Sequence, residues 1–574
     1  MTDLACPKQQ RCPGCPLGDA PYAAGLARKG QELGRALARY GELSPEVAAP
    51  RGAAPTLGYR LRAKLVVAGR ALGLYERGSH RVVDVEGCRV LSGALTAATR
   101  ALRARLPLPI YGADFRETSE GVLITLLSEA PSHDESLTRV ARELVESGDA
   151  LSVALALRPP GNVRLIAGEP RVVAGPSAAR HALAEAAPYA YAAHGGFVQA
   201  HAAQASHVHA QILARVGEQA PGRSPRVLEL FAGNGSLALA LARSGADVTA
   251  VEAYAPAISL AERAAREQGL KLLAVTSDAT RFVLERAQGP FDVVLVNPPR
   301  RGLSPELRAA LARARPRLLG YVSCNPRTLA RDAAHLALGG MRMTHAEPLD
   351  MIPWSDAIEA LCWFGPAAPP SPRVLYRDEH WVAVEKAAFE PMTASAGESL
   401  TARVRRLPGF ADAEALEGWG AETSGVSWFS RPASLASVVS AERWLTLGVR
   451  GNLRKQGTIT RHRDGAATAG ARYKKRGALG RHSWVSASVH DDDERALLAD
   501  FAGIGHPVLG DPRGDDATNQ FLEHRFGLDR TFAHCHESRL VLREGTVLCA
   551  SSELAPDLSQ LVDSALDEPA LERP

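Results

Sequence analysis

The spacing of apolar residues divides the chain into three stretches. Up to about residue 190, helical periodicity over Tyr22–Tyr40 is followed by short runs, LRAKLVVAG and RALGLYERG, that predict strands. From 191 to 366 strand and helix signals alternate. The strand runs read RVLELFAG, ADVTAVEA, FDVVLVNPP and LLGYVSCNP, with Ala/Leu/Arg-rich segments of helical character between them. That alternation predicts βαβ units and an α/β fold. The Pro-rich stretch Gly365–Arg373, GPAAPPSPR, predicts a linker to a third stretch, 374–574. There is no internal repeat and no long low-complexity tract.

Composition adds bounds. At 574 residues the chain is too long for one hydrophobic core, which implies two to four domains. Apolar residues at 46% and charged residues at 23% are ordinary for soluble protein. No apolar run approaches the roughly 20 residues of a membrane-spanning helix. The opening MTDLACPKQQRCPGCPLG lacks the apolar core of a secretory signal, so a soluble, cytoplasmic protein is expected. A formal charge of +4 permits a polyanionic partner only if the basic residues cluster. In a reducing compartment the eight cysteines are not expected to form structural disulfides, so their uneven placement asks for another chemistry.

One candidate site follows the first strand of the central stretch. Leu228–Ser236, LELFAGNGS, leads from an apolar run into a helix, and Gly233 and Gly235 let the backbone turn sharply near a ligand. Glu252 ends the next strand, where a carboxylate can hydrogen-bond both ribose hydroxyls. Asp278 follows a third apolar run, in reach of an adenine edge, and Asn297-Pro298-Pro299-Arg300 ends the fourth. Polar groups at successive strand ends form the ligand crevice of open α/β sheets. The set resembles a class I methyltransferase, with another nucleotide-binding Rossmann domain as the alternative.

A second pair carries the chemistry. Cys324, in Tyr321-Val322-Ser323-Cys324-Asn325-Pro326, ends a strand on the same rim. A strand cysteine is more often a small buried hydrophobe, but the polar, turn-forming neighbours predict that this one faces the cleft. Glu359 opens a later apolar run, as a solvated cap or as a base beside the cysteine. Uracil C5 is a poor nucleophile. A thiolate adding at C6 creates an enolate that can attack a methyl sulfonium, and a base must then remove the C5 proton so that the cysteine leaves.

These residues resemble the RNA uracil-5-methyltransferase family, which modifies 23S ribosomal RNA or transfer RNA, and the similarity spans about residues 1–365. SCNPRTLARD (Ser323–Asp332) is similar to the family's nucleophile motif, and DMIP (Asp350–Pro353) with Ile358-Glu359 to its base motif. The resemblance implies Cys324 as nucleophile and Glu359 as base. It implies an S-adenosylmethionine pocket lined by Phe231, Ser236, Glu252, Asp278 and Asn297. Gln199, in Gly196-Phe197-Val198-Gln199, is implied to contact the methyl donor or the target base. The family usually has Asp at Asn297, Asn at Ser236 and His at Ala357, which affects substrate detail more than reaction type. Methylation of cytosine is disfavoured because its Pro-Cys and Thr-Cys motifs are missing from this region. The rival reading is a non-catalytic RNA-binding or ribosome assembly factor. RNA is the expected partner, the target base is expected to flip out of its stack, and nothing asks for a membrane or an obligate protein partner.

Cys6, Cys12, Cys15 and Cys88 offer four thiolates, a number that suits a [4Fe–4S] cluster or zinc equally by spacing. A subset of the resembled family carries the same C-x5-C-x2-C…C arrangement, which implies a [4Fe–4S] cluster in an α+β region over 1–190, ahead of the methyltransferase domain at 191–366. The family's usual N-terminal β-barrel is not seen.

From Val374 the chain resembles RNA pseudouridine synthases, in VLYRDEHWVAVEKAAFEPM, Glu422-Thr423-Ser424-Gly425-Val426 and Ile504–Asp511, which implies an α+β domain over 374–574. Where that family has its arginine and catalytic aspartate, this chain has Gly418 and Gly420. Its tyrosine is replaced by Trp444, and its R-T-H-Q-I-R by Asp491-Asp492-Asp493-Glu494-Arg495. The domain is expected to be inactive. A basic run, Arg454, Lys455, Arg461, Arg463, Arg472 and Lys474–Arg476, is interleaved with Tyr473 and followed by Trp484. It is expected to neutralise phosphates while an aromatic ring stacks on a base.

Overall fold

The computed structural model describes residues 4–129, 135–158, 169–285, 291–394, 398–463, 466–489, 494–514 and 516–567, and Asp491, Asp492 and Asp493 lie outside them. At its centre is an eight-stranded sheet. Leu272–Thr276, Asp247–Glu252, Arg226–Leu230, Val293–Val296 and Leu318–Ser323 run parallel in that spatial order. Glu359–Pro366 then inserts antiparallel between Leu318–Ser323 and Met341–Leu349. The inner strands are buried almost residue for residue, because helices cover both faces.

Two N-terminal elements belong to this sheet's core. Helix Tyr22–Ala38 buries Leu33, Ala36 and Leu37 in the cluster that contains Leu329, Ala330 and Ala333 of helix Pro326–Leu338. Glu46–Val47 pairs with the Met341–Leu349 edge. A buried ion pair of 2.6 Å between Lys29 Nζ and Asp350 Oδ1 fixes the helix, and Tyr22 donates to Asp350 Oδ2 at 2.7 Å. Asp350, inside the DMIP motif, is thus an anchor. A separate seven-stranded sheet spans Arg62–Ala174, with helices Gly93–Ala104 and Glu135–Glu146 closing its core.

The Pro-rich segment is pinned, with Ala367 O accepting from Arg315 (2.9 Å) and Pro370 O from Arg403 (2.9 Å). Beyond it lies a ten-stranded sheet, whose far edge is the hairpin of Gln456–Arg463 and Ala466–Leu479. This C-terminal unit docks on helix Pro326–Leu338 through charge. Asp332, buried, receives Arg308 (2.7 Å), Arg331 (2.9 Å) and the Tyr321 hydroxyl (2.8 Å). From the other side Asp529 meets Arg308 at 3.1 Å and Arg331 at 3.3 Å, and Gly527 O accepts from Arg331 at 2.8 Å. Burying two guanidiniums is tolerable only because each finds carboxylate and carbonyl partners.

Candidate active site

The glycine-rich turn after Leu230 is built on unusual backbone. Phe231 (φ 61°), Gly233 (φ 56°) and Gly235 (φ 72°) all lie in the left-handed region. Gly235 precedes helix Ser236–Arg243, and a Cβ there would stand 2.5 Å from Ala261 Cβ, so only glycine lets helix Ala255–Glu267 approach this closely. The Glu252 carboxylate holds the turn, accepting from Gly233 N at 3.0 Å and Tyr254 N at 2.9 Å, with lone pairs left for a ligand. Asp278 is exposed and caps the next helix through Arg281 N at 3.0 Å. Asn297 is exposed at the end of the fourth strand. Behind the turn, Glu229 is buried, and its carboxyl is pushed up to about 8 by desolvation, with the Glu252 charge adding to the rise. Glu229 stands out only in the fold, since a carboxylate inside an apolar strand run carries no local signal of its burial.

Strand register brings the second pair together. Ser323 lies opposite Ala360 at the end of the antiparallel ladder, which brings Cys324, just past that strand, near enough to Glu359 for the carboxylate charge to act on the thiol. Burial raises the Cys324 thiol, and the neighbouring Glu359 charge raises it further, while Arg300 opposes both. Burial likewise pushes the Glu359 carboxyl up to about 7, again against Arg300. A carboxylate poised there is suited to move a proton near neutral pH. The Cys324 loop is tied to the Arg300 loop: Arg300 O accepts from Asn325 Nδ2 at 2.9 Å and Thr328 Oγ1 at 3.1 Å. Asn325 also caps helix Pro326–Leu338 through Arg327 N at 3.1 Å. Arg300 was not singled out from sequence, because its approach to both groups depends on how the two loops fold against each other. Gln199 is half-buried between Ala190–Ala193 and helix Ala202–Gly217, beside an exposed Phe197, and makes no side-chain hydrogen bond among the described residues.

Cys6, Cys12, Cys15 and Cys88 are half-buried, unpaired and line one small pocket of about 60 Å³ with apolar walls. Burial, then repulsion from Cys88 and Cys12, pushes the Cys15 thiol up to about 12. Among the described residues no group of three or more His, Cys, Asp or Glu is arranged to hold a metal ion. The four thiols line one pocket and lie close enough to repel one another when ionised.

In the C-terminal unit, Gly420 N donates to Glu494 Oε2 at 2.9 Å, and Thr423 donates to Oε1 of the same carboxylate. A Cβ at Gly420 would lie 3.1 Å from that Oε2. On the edge hairpin Arg472, Lys474 and Arg476 are exposed, with Arg476 at a bulge in the pairing to His482–Val489. Arg461 and Arg463 lie in the other strand, but their side chains are outside the described ones. The expected stacking rings are half-buried against the core rather than standing free. Tyr473 packs on Phe501 at 5.7 Å, and Trp484 lies against the core around Leu479 and Phe532, because each gains more by covering apolar surface than by standing in water.

Comparison with known proteins gives two family matches. One, described as a methyltransferase domain, covers residues 227–319. The other, described as tRNA (Uracil-5-)-methyltransferase, covers residues 282–365. An uncharacterized RNA methyltransferase of Thermosynechococcus vestitus is 30% identical over 386 residues, 62% of this chain and 82% of the relative. The 23S rRNA (uracil(1939)-C(5))-methyltransferase RlmD of Pseudomonas putida is 32% identical over 378 residues, 63% of this chain and 80% of the relative. Among solved structures, the Pyrococcus abyssi tRNA (uracil-54, C5)-methyltransferase with S-adenosyl-L-homocysteine is 23% identical with a TM-score of 0.49, covering 62% of this chain and 86% of that one.

Proposed function

Since the chain belongs to the RNA uracil-5-methyltransferase family, we infer that it methylates C5 of a uridine in RNA, with S-adenosylmethionine as donor and 23S ribosomal RNA favoured over transfer RNA. The observation that carries the reading is the nearness of Cys324 and Glu359 at the end of one strand pair, with Arg300 acting on both. S-adenosylmethionine, when bound, supplies a methyl group on an electrophilic sulfonium. The Cys324 sulfur adds to C6 of the uracil, which places electron density on C5. After methylation Glu359 accepts the C5 proton, and the sulfur–C6 bond breaks to return the thiolate. Arg300 favours the charged forms of both groups. For the donor, Glu252, the turn at Phe231–Ser236, Asp278 and Asn297 are the proposed contacts, and Gln199 is proposed on the base or donor side. Nucleoside mass spectrometry of ribosomal and transfer RNA from a deletion strain tests this. Loss of 5-methyluridine from one RNA, restored by wild type and not by Cys324→Ala, is the expected result. An unchanged modification profile would favour an assembly role instead.

We further propose that Cys6, Cys12, Cys15 and Cys88 hold a [4Fe–4S] cluster. Four unpaired thiols on one apolar-walled pocket support it. The cluster would supply a covalent clasp for the N-terminal segment, since methyl transfer needs no electron. Iron and sulfide analysis of anaerobically purified protein, compared with Cys15→Ser, tests it.

For 374–574 we propose a pseudouridine-synthase-like domain that binds RNA without isomerising it. Glycine at 420 removes the carboxylate, and the adjacent Glu494 is tied by two donors. The exposed Arg472, Lys474 and Arg476 ridge is the proposed phosphate contact.

A further inference from the structure

We propose that the C-terminal unit forms one wall of the methyl donor's pocket, so that the donor site of this chain is shared between two units. This rests on the methyltransferase reading. A cavity of about 430 Å³ lies where the units meet, a size within the roughly 300–1,000 Å³ of small-molecule sites. Its near side is mostly the segment from Pro299 to Leu307 and includes Phe231 and Asp278, which the turn and a strand end of the donor crevice bring to its edge, and its far side includes Phe389, Pro512 and Gln520. Pro299 faces this cavity, while its neighbour Arg300 acts on Cys324. Neither Cys324 nor Glu359 lines the cavity, which suits the non-reacting, adenosyl end of the donor.

Charge narrows the ligand. Carboxylates of Asp278, Glu306, Glu422, Glu523 and Asp529 line the cavity. Its two guanidiniums are already engaged, Arg301 with Glu523 at 3.4 Å and Arg530 with Asp557 at 2.6 Å. Such a lining repels phosphates and admits a neutral purine nucleoside. The far wall is held firmly. Asp529 is clamped to Arg308 and Arg331, and Glu422 accepts from Thr531 N at 2.7 Å.

The test is calorimetric titration of the full-length protein with S-adenosylhomocysteine. Gln520 and Pro512 are exposed and sit on different segments. Gln520→Trp and Pro512→Trp are each expected to raise Kd at least tenfold without moving the melting curve. As a check that needs no bulky residue, maleimide labelling of Gln520→Cys, read at its own peptide, is expected to slow at least fivefold with saturating S-adenosylhomocysteine. Wild-type binding with both Trp variants within twofold, or labelling at an unchanged rate, overturns the shared wall. A wild type that binds no S-adenosylhomocysteine overturns the donor reading itself, and this inference with it.

Discussion

Cys324 and Glu359 compete for the same local field: an ionised Glu359 makes the thiolate harder to form, and Arg300 offsets the cost for both. Glu359 works as a base only when deprotonated, so methyl transfer is expected to rise with pH through about 7 and to keep rising as the thiol ionises. A rate profile from pH 5.5 to 9 checks this, and Arg300→Gln should shift it upward while lowering the rate by about 10²-fold. Glu359→Gln leaves the C5 proton in place, so the covalent RNA–protein adduct should accumulate and be visible on a denaturing gel. The same substitution has a stability consequence. The folded-state pKa of Glu359, about 7, lies above its ordinary value, so the fold favours the protonated form. That contribution is lost as pH rises through 7, and Glu359→Gln should melt higher than wild type at pH 8 but not at pH 5. The thiol and carboxylate were legible from their motifs. Arg300 and the buried Glu229 were not, because neither proximity across loops nor desolvation is written in local spacing.

At the scale of elements, the active pair depends on register. A one-residue slip between Leu318–Ser323 and Glu359–Pro366 would turn Glu359 to the other face. The inserted antiparallel strand thus does more than extend the sheet, since it brings Glu359, the proposed base, beside Cys324. The glycine turn is equally constrained. Gly235→Ala would add a Cβ at φ 72° against Ala261, with an expected loss of about 2 kcal/mol and weaker donor binding in a titration. The strand-turn-helix of this site was legible because its apolar run, glycines and helix share one stretch of sequence. The edge hairpin was only half legible. Its cations project outward as their spacing suggested, yet Tyr473 and Trp484 fold inward, a choice made by neighbours distant in the chain. Replacing Arg472, Lys474 and Arg476 by Ala should therefore weaken RNA binding and reduce its log–log salt slope by about 1 per lost phosphate contact.

At the scale of the whole molecule, the C-terminal unit is fused to the helix that begins beside Cys324. Removing residues 370–574 would bare Arg308, Arg331 and Asp332, so truncation would disturb catalysis as well as RNA binding. Asp529→Asn isolates the coupling: it weakens one carboxylate facing two buried guanidiniums, with an expected cost on the order of 3 kcal/mol and a lower first melting transition. By itself the sequence determined the α/β character of the central stretch, the glycine turn, the nucleophile and base motifs, and the four thiols, because each is a matter of residue type at short spacing. Only the tertiary structure decided that the helix at Tyr22–Ala38 joins the central core, that Arg300 acts on both Cys324 and Glu359, and that a cavity opens between two units. Those depend on contacts between segments hundreds of residues apart, where packing and desolvation, not local pattern, select the partner.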